Sequence, residues 1–176
     1  DGQPYIDKPV LFHWLQGASV LLLGETEFAA RLPTALSAIG LFAITRWVGI
    51  VLFGEEVGSL GAVMFATIPA TFALSSIAIF DMVFALFLFG AVACLLVAGK
   101  RGSLRTELCG YLLLTLAVMT KGPVALVLVA LLIGAGYVAS SETRSIFRGL
   151  HWRTGLPLVA LAASPWFLWM QWRFGD

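Results

Sequence analysis

Long apolar segments separated by short polar stretches make up most of this chain of 176 residues. A helix needs about 20 apolar residues to cross the hydrocarbon core of a bilayer. Because backbone polar groups in lipid must be bonded internally, segments of this kind fold as helices. The sequence therefore predicts an all-α membrane protein, a bundle of about six spans. The spans are predicted at residues 32–53, 57–79, 82–98, 108–119, 124–138 and 156–172.

Two further segments need separate interpretation. Residues 10–23 are apolar but too short to span comfortably, which predicts an interfacial or re-entrant helix. The apolar run over 108–139 would measure about 48 Å as one helix, which is too long for a single span. Lys121, Gly122 and Pro123 interrupt this run with a charge and two helix breakers. We therefore predict a tight polar turn there, between two spans.

The composition excludes a soluble domain and a nucleic-acid-binding protein. Apolar residues make up 60% of the chain and charged residues 12%, whereas a soluble domain carries roughly 25% charged residues. The formal net charge of +1 offers no electrostatic attraction for nucleic acid. Cys94 and Cys109 form no CxxC pair, which predicts buried small side chains rather than metal ligands or a disulfide. His13 and His151 are isolated and predict no histidine-based metal site.

The charges divide between the two sides of the membrane. The polar stretches 99–107 and 140–155 fall on one side by parity, and their basic residues predict that this side is cytoplasmic. These basic residues are Lys100, Arg101, Arg105, Arg144, Arg148 and Arg153. Parity places isolated charges on the opposite, extracytoplasmic side. They are Asp7, Lys8, Glu25, Glu27, Arg31, Asp81, Lys121 and Arg173.

Isolated charges at the edge of a membrane segment are costly and indicate a functional site. Lys121 is a point charge suited to a phosphate, and Gly122 beside it would let backbone N–H groups approach oxygen atoms. The carboxylate of Asp81 could bind a divalent ion, orient a hydroxyl or act as a base. The residues thus suit an anionic, lipid-linked substrate. Two structural alternatives stay open, since Lys121 could snorkel to the interface and Asp81 could cap the helix that follows it.

Five short motifs occur in order along nearly the whole chain. They are Pro4-Tyr5-Ile6-Asp7-Lys8-Pro9, Arg31-Leu32-Pro33, Phe80-Asp81, Thr120-Lys121-Gly122-Pro123 and Ser164-Pro165-Trp166-Phe167. This ordered set resembles the polyprenyl-phosphate-sugar-dependent glycosyltransferases. That family includes bacterial aminoarabinose transferases of lipid A and the dolichyl-phosphate-mannose protein mannosyltransferase superfamily. The resemblance implies a helical bundle with the GT-C fold.

The resemblance also implies roles for individual residues. Asp81 would be the catalytic carboxylate facing an outer cavity, and Asp7 would help to hold a divalent metal ion. Lys121 would contact the lipid phosphate of the donor, and Lys8 would contact an acidic or phosphate group. The implied substrate-binding residues are Tyr5, Lys8, Arg31, Lys121 and Gly122.

The implied activity is that of a glycosyltransferase. It would transfer a sugar from a polyprenyl-phosphate-linked donor to a lipid or protein acceptor. The enzyme would be integral to the bacterial inner membrane, in contact with membrane lipids, and its active site would face the periplasm. Residues 1–176 would form the N-terminal part of the transmembrane domain. The family's usual catalytic aspartate, in an upstream outer loop, and its downstream Glu-His element have no counterpart here, so we expect these residues alone to be inactive.

Two other functions remain possible on the sequence. In a transporter or lipid flippase, Asp81 and Lys121 would be coupling charges. Such proteins place ionisable residues near the bilayer midplane and contain repeats of broken helices, whereas these charges lie at the predicted outer edge of the membrane and no internal repeat is evident. In a structural or assembly subunit, the same charges would only pair with neighbouring helices.

Overall fold

The computed structural model describes residues 8–174, and the secondary structure in that range is helical. The prediction of an all-α bundle is confirmed. The helices are α1 (Leu11–Leu23), α2 (Glu27–Phe53), α3 (Glu55–Thr67), α4 (Pro69–Ser75), α5 (Phe80–Arg101), α6 (Leu104–Lys121), α7 (Val124–Ala139), α8 (Ser141–Arg148) and α9 (Trp152–Phe174).

Within residues 8–174, two helices, α2 with 27 residues and α5 with 22, are long and apolar enough to cross a membrane. Helices α3 and α4 meet that requirement only together, and they are bent by 63° at the break between them. The segment predicted as one span over 57–79 is therefore divided. Ile68 has extended backbone angles before Pro69, because proline disfavours a helical conformation in the residue that precedes it. The total of about six spans stays a prediction.

The two polar stretches between predicted spans, 99–107 and 140–155, are largely helical. Helix α5 continues to Arg101 and α6 begins at Leu104, so only Gly102 and Ser103 separate them. Gly102 adopts a positive φ of 64° at the end of α5, a conformation that glycine adopts without a steric cost. The side chain of Ser103 then accepts a hydrogen bond from the N–H of Thr106 at the start of α6. This short turn makes α5 and α6 an antiparallel hairpin.

The stretch 140–155 contains the short helix α8. Ser140 caps it by accepting a hydrogen bond from the N–H of Thr143. Phe147 is buried among the core side chains, whereas the polar residues of α8 are exposed or half-buried. Helix α8 therefore lies against the bundle with one apolar face.

The core forms between α5 and α6 and extends to α7, α8 and α9. Its central side chains are almost fully buried, and they include Leu95, Leu114, Ala91 and Ala117. Small residues allow close helix contact, since a Cβ on Gly49 of α2 would lie 2.6 Å from the Cα of Gly58 in α3. That contact agrees with close helix approach through small residues.

The two cysteines lie side by side in this hairpin, with their Sγ atoms 3.9 Å apart. Cys94 is buried as predicted, but Cys109 is exposed on the surface of the bundle. The prediction was wrong for Cys109 because α6 buries only the side that faces α5 and α9. Neither thiol takes part in a disulfide.

Candidate active site

The ion pair between Asp81 and Lys121 joins the first turn of α5 to the last residue of α6. The two residues are 40 positions apart, and Lys121 Nζ donates a hydrogen bond to Asp81 Oδ1 over 2.5 Å. Their side chains are 36% and 30% exposed, respectively. The α5–α6 hairpin brings them together, because the start of one helix and the end of the other lie at the same end of the bundle. We call this end of the bundle the site end.

Two aromatic rings hold the ammonium group of Lys121. Its Nζ atom lies 5.3 Å from the ring centroid of Phe80 and 5.1 Å from that of Phe84. The two phenylalanines are one helical turn apart, so they share a face of α5. Cation–π attraction at such distances stabilises the ammonium group. Asp81 and the rings therefore fix Lys121 from two directions.

Lys8, which precedes α1, also lies over the ring of Phe80. Its Nζ atom lies 5.8 Å from the centroid of Phe80. Phe12 packs edge-on against Phe80 with centroids 6.4 Å apart, which fixes the ring between α1 and α5. Two ammonium groups and one carboxylate thus gather around Phe80. Three of the residues singled out from the sequence, Lys8, Asp81 and Lys121, are brought together.

An apolar groove of about 640 Å³ lies next to this cluster, between α1, α6 and α9. It begins close to both lysines, since Val10 and Met119 line it two residues away from Lys8 and Lys121. Trp14, Pro165, Trp166 and Trp169 complete most of the lining. The fifth sequence motif therefore contributes Pro165 and Trp166 to the neighbourhood of the charged cluster.

Comparison with known proteins identifies the family. The sequence pattern of the dolichyl-phosphate-mannose-protein mannosyltransferase family matches residues 7–169. The chain belongs to this family. The predicted membership among polyprenyl-phosphate-sugar-dependent glycosyltransferases is thereby confirmed.

Individual relatives of this mannosyltransferase-family chain carry one name, undecaprenyl phosphate-alpha-4-amino-4-deoxy-L-arabinose arabinosyl transferase. The relative from Aeromonas salmonicida is 26% identical over 99% of this chain and 32% of its own length. The relative from Yersinia enterocolitica is 30% identical over 71% of this chain and 24% of its own length. The chain thus spans about a third or less of the curated relatives that it matches.

A solved structure shows the same fold. The crystal structure of ArnT from Cupriavidus metallidurans bound to undecaprenyl phosphate matches with a TM-score of 0.86 and 21% identity, over 98% of this chain and 32% of that one. The apo structure of the same protein matches with a TM-score of 0.79. The GT-C-like bundle predicted from the motifs is confirmed.

The remaining predicted site residues of this mannosyltransferase-family chain have different environments. Arg31 forms an ion pair with Glu27 over 3.0 Å on the surface of α2, and no ion pair joins it to Asp81 within residues 8–174. Gly122 makes the predicted turn with a φ of 83°, but its own N–H donates to Val118 O over 2.7 Å. That amide is already bonded and Pro123 has no N–H, so neither residue offers a backbone donor to a phosphate in the described state.

The proposed metal ligand and one substrate-binding residue, Asp7 and Tyr5, lie outside the described residues. Among residues 8–174, no group of three or more His, Cys, Asp or Glu side chains is arranged to hold a metal ion. The divalent ion therefore stays a prediction that depends on Asp7. The capping role considered for Asp81 is wrong, because Ile79 precedes α5 without any side-chain cap and the carboxylate bonds Lys121 instead.

A buried carboxylate at the opposite end of α6 was not predicted from the sequence. Glu107 is 4% exposed, and its Oε1 accepts hydrogen bonds from Tyr111 Oη at 3.1 Å and the N–H of His151 at 2.5 Å. Its Oε2 lies 2.9 Å from Nδ1 of His151. The contact between Glu107 and Tyr111 could have been predicted, because the two residues are four positions apart on one helix. The contact with His151 could not, because 44 residues separate it from Glu107. This cluster holds the start of α9 to α6.

Proposed function

We propose that this chain is part of a membrane glycosyltransferase that takes its sugar from a polyprenyl-phosphate-linked donor. The observation that carries the proposal is the gathering of Lys8, Lys121 and Asp81 around Phe80 at one end of the bundle. The relatives are named for transfer of 4-amino-4-deoxy-L-arabinose from undecaprenyl phosphate. The structurally similar ArnT was crystallised with undecaprenyl phosphate.

The cluster contains the charges that the reaction needs. When the bond between the anomeric carbon and the phosphate oxygen breaks, its electron pair goes to the phosphate, and cations at that point stabilise the leaving group. Lys8 and Lys121 would supply them. The acceptor hydroxyl must lose a proton as its oxygen bonds to the anomeric carbon, and a carboxylate can take that proton. Asp81 would fill this role.

Binding of the donor would change the partner of Lys121. In the described state its ammonium group is neutralised by Asp81. An incoming sugar-linked phosphate is a diester with one negative charge, as the carboxylate has, and it competes for the same ammonium group. The leaving phosphate gains a second negative charge as the anomeric bond breaks, which strengthens its hold on Lys121. Transfer of Lys121 to the phosphate would release the carboxylate of Asp81 toward the acceptor. Donor binding and activation of the base would thus be linked in one exchange.

The apolar groove beside the cluster fits the lipid part of such a donor. Its aromatic and aliphatic lining, with Trp14, Trp166 and Met119, begins next to both lysines. An isoprenoid chain in this groove would place its terminal phosphate at Lys8 and Lys121. The implied contacts of Tyr5, Arg31 and Gly122, and a divalent ion held with Asp7, belong to the same proposal.

The acceptor, a lipid or a protein, would approach from the side of the membrane at the site end. The six basic residues of the stretches 99–107 and 140–155 lie at the other end, where Lys100 of α5 pairs with Glu142 of α8. The excess of basic residues in cytoplasmic segments supports an extracytoplasmic site end in a bacterial inner membrane. A transporter or flippase is less well supported, because Asp81 and Lys121 lie at helix ends rather than midway along a helix.

The test uses the full-length parent protein, reconstituted with a defined undecaprenyl-phosphate-linked sugar. We expect Lys121→Ala to lose transfer and to lose the polyprenyl phosphate that mass spectrometry finds co-purified with the wild type. Lys100→Ala, which removes a lysine at the opposite end, is the matched control and should retain both. Full transfer by Lys121→Ala would overturn the proposal, and lipid movement across vesicles without sugar transfer would favour the flippase.

A further inference from the structure

At the end of the bundle opposite the site end, one tyrosine holds two arginines. Arg144 Nε donates to the carbonyl oxygen of Tyr137 over 3.1 Å, and Arg148 Nε donates to its hydroxyl over 2.9 Å. The guanidinium carbons lie 5.1 Å and 5.6 Å from the centroid of the same ring. Each arginine is therefore fixed through Nε, and its Nη groups remain available as donors.

The pair carries uncompensated positive charge. Arg144 and Arg148 are one turn apart on α8, and like charges at this spacing destabilise a helix. Neither forms an ion pair with a carboxylate anywhere in the described part of the chain, 8–174. The planar fork of N–H donors in a guanidinium group suits the oxygens of a phosphate. An anion bound between them would remove the repulsion.

Tyr137 also lines a large apolar groove. The groove has a volume of about 780 Å³ and lies between α6, α7 and α9. Aliphatic side chains form most of its wall, and Trp152 lies in it near the same end as Tyr137. Gly134 leaves space in the groove, since a Cβ at this position would meet no atom within 4 Å. The arginine pair and the apolar groove thus meet at Tyr137.

We propose that this groove binds one anionic phospholipid. Its phosphate would contact Arg144 and Arg148, and an acyl chain would lie along α7 over Gly134. Tyrosine and tryptophan favour the level of the headgroups, and basic pockets between membrane helices bind anionic headgroups. Charge complementarity therefore selects an anionic lipid over a zwitterionic one. The inference depends on the fold and is independent of the sugar-transfer proposal.

The binding test uses the full-length parent in detergent, titrated with phosphatidylglycerol or with phosphatidylethanolamine of the same acyl chains, and native mass spectrometry counts the bound lipid. The wild type should bind phosphatidylglycerol more tightly. An Arg144→Gln, Arg148→Gln double variant should lose roughly ten- to thirty-fold of that affinity, given about 1 kcal/mol per basic residue. The matched control is Arg101→Gln, Arg105→Gln, which removes two charges from the same end but touches neither Tyr137 nor the groove. It should bind as the wild type does.

A second variant examines the groove itself. Gly134→Leu places a side chain in the open space of the groove without a clash, and we expect it to weaken phosphatidylglycerol binding several-fold while the melting temperature holds. Equal affinity for the two lipids, or equal losses in the two double variants, would overturn the proposal. A lower melting temperature in Gly134→Leu with unchanged lipid binding would also overturn it, because a helix of the parent would then occupy the groove.

Discussion

Lys121 donates its hydrogen bond to Asp81 from the last residue of α6, so that a phosphate-binding candidate and a candidate base neutralise one another. The pair is about one-third exposed, and exposed ion pairs contribute about 1 kcal/mol or less to stability. Function and stability can therefore be separated at this position.

Exchanging the charges of Asp81 and Lys121 separates their effect on function from their effect on stability. We expect Asp81→Asn and Lys121→Ala each to abolish transfer in the parent protein and to lower its stability by no more than about 1 kcal/mol. The double variant Asp81→Lys, Lys121→Asp should recover the stability but not the transfer. Recovery of transfer by the exchanged pair would show that the charges only hold α5 to α6, as in a structural subunit. Thermal unfolding and a transfer assay on the same preparations measure the two quantities.

The ring of Phe80 is expected to set donor affinity, because Lys8 and Lys121 both lie over it. Cation–π contacts contribute about 0.5 to 2 kcal/mol, so Phe80→Leu should raise KM for the donor by roughly two- to thirty-fold with a smaller change in kcat. Phe80→Trp keeps an aromatic face and should recover most of the loss. Phe89→Leu, on an exposed part of the same helix, is the control. An unchanged KM in Phe80→Leu would contradict the shared-ring arrangement.

The cysteine pair offers a direct check of helix packing in the membrane. With the Sγ atoms of Cys94 and Cys109 only 3.9 Å apart, a small movement brings them to bonding distance. A membrane-permeable oxidant should form an intramolecular disulfide, detected as a loss of two hydrogens by mass spectrometry of the peptide pair. Cys94→Ser should prevent it. Failure of the wild type to cross-link would place α5 and α6 in a different register.

Glu107 should be important for stability rather than for chemistry. Its carboxylate accepts from the N–H of His151 and from Tyr111 while almost fully buried. In Glu107→Gln, the side-chain NH2 group replaces one carboxylate oxygen and must face the donors of Tyr111 or His151. A lost buried hydrogen bond to a charged group costs about 1.5 to 3 kcal/mol. We expect a clearly lower melting temperature for the parent protein.

Glu142→Gln is the matched comparison for that experiment. Glu142 is exposed and lies 3.9 Å from Lys100, so its substitution should have little effect on unfolding. Equal melting temperatures for the two variants would show that the Glu107 cluster does not hold α9 to α6.

The sequence predicted most of the long apolar helices and that Asp81 and Lys121 lie at one end, because both depend on local signals, but it missed the break between α3 and α4 and the short helix α8. The lengths of the apolar segments and the Gly122–Pro123 break indicate where α6 ends. These signals were enough to place Asp81 and Lys121 at one end. The motif at Lys8 completed the cluster.

What the sequence could not predict depends on contacts between distant residues. Nothing near Glu107 indicates His151, and a polar stretch such as 140–155 gives no sign that Arg144 will stack on Tyr137. Arg31 was placed in the site by its motif, although its neighbour Glu27, one turn earlier, already offered a partner on the same helix face. The substrate-binding role of Arg31 stays a prediction.

Helix α6 runs without a break from one end of the bundle to the other. Its 18 residues span about 27 Å at 1.5 Å per residue, with Glu107 fixed near one end and Lys121 projecting from the other. The position of the lysine ammonium group is therefore set by contacts at the far end of the same helix. Loosening those contacts should change how tightly a donor is held, although Glu107 lies at the opposite end of α6 from Lys121, so suppressor variants of such an enzyme should be sought at both ends of the helix.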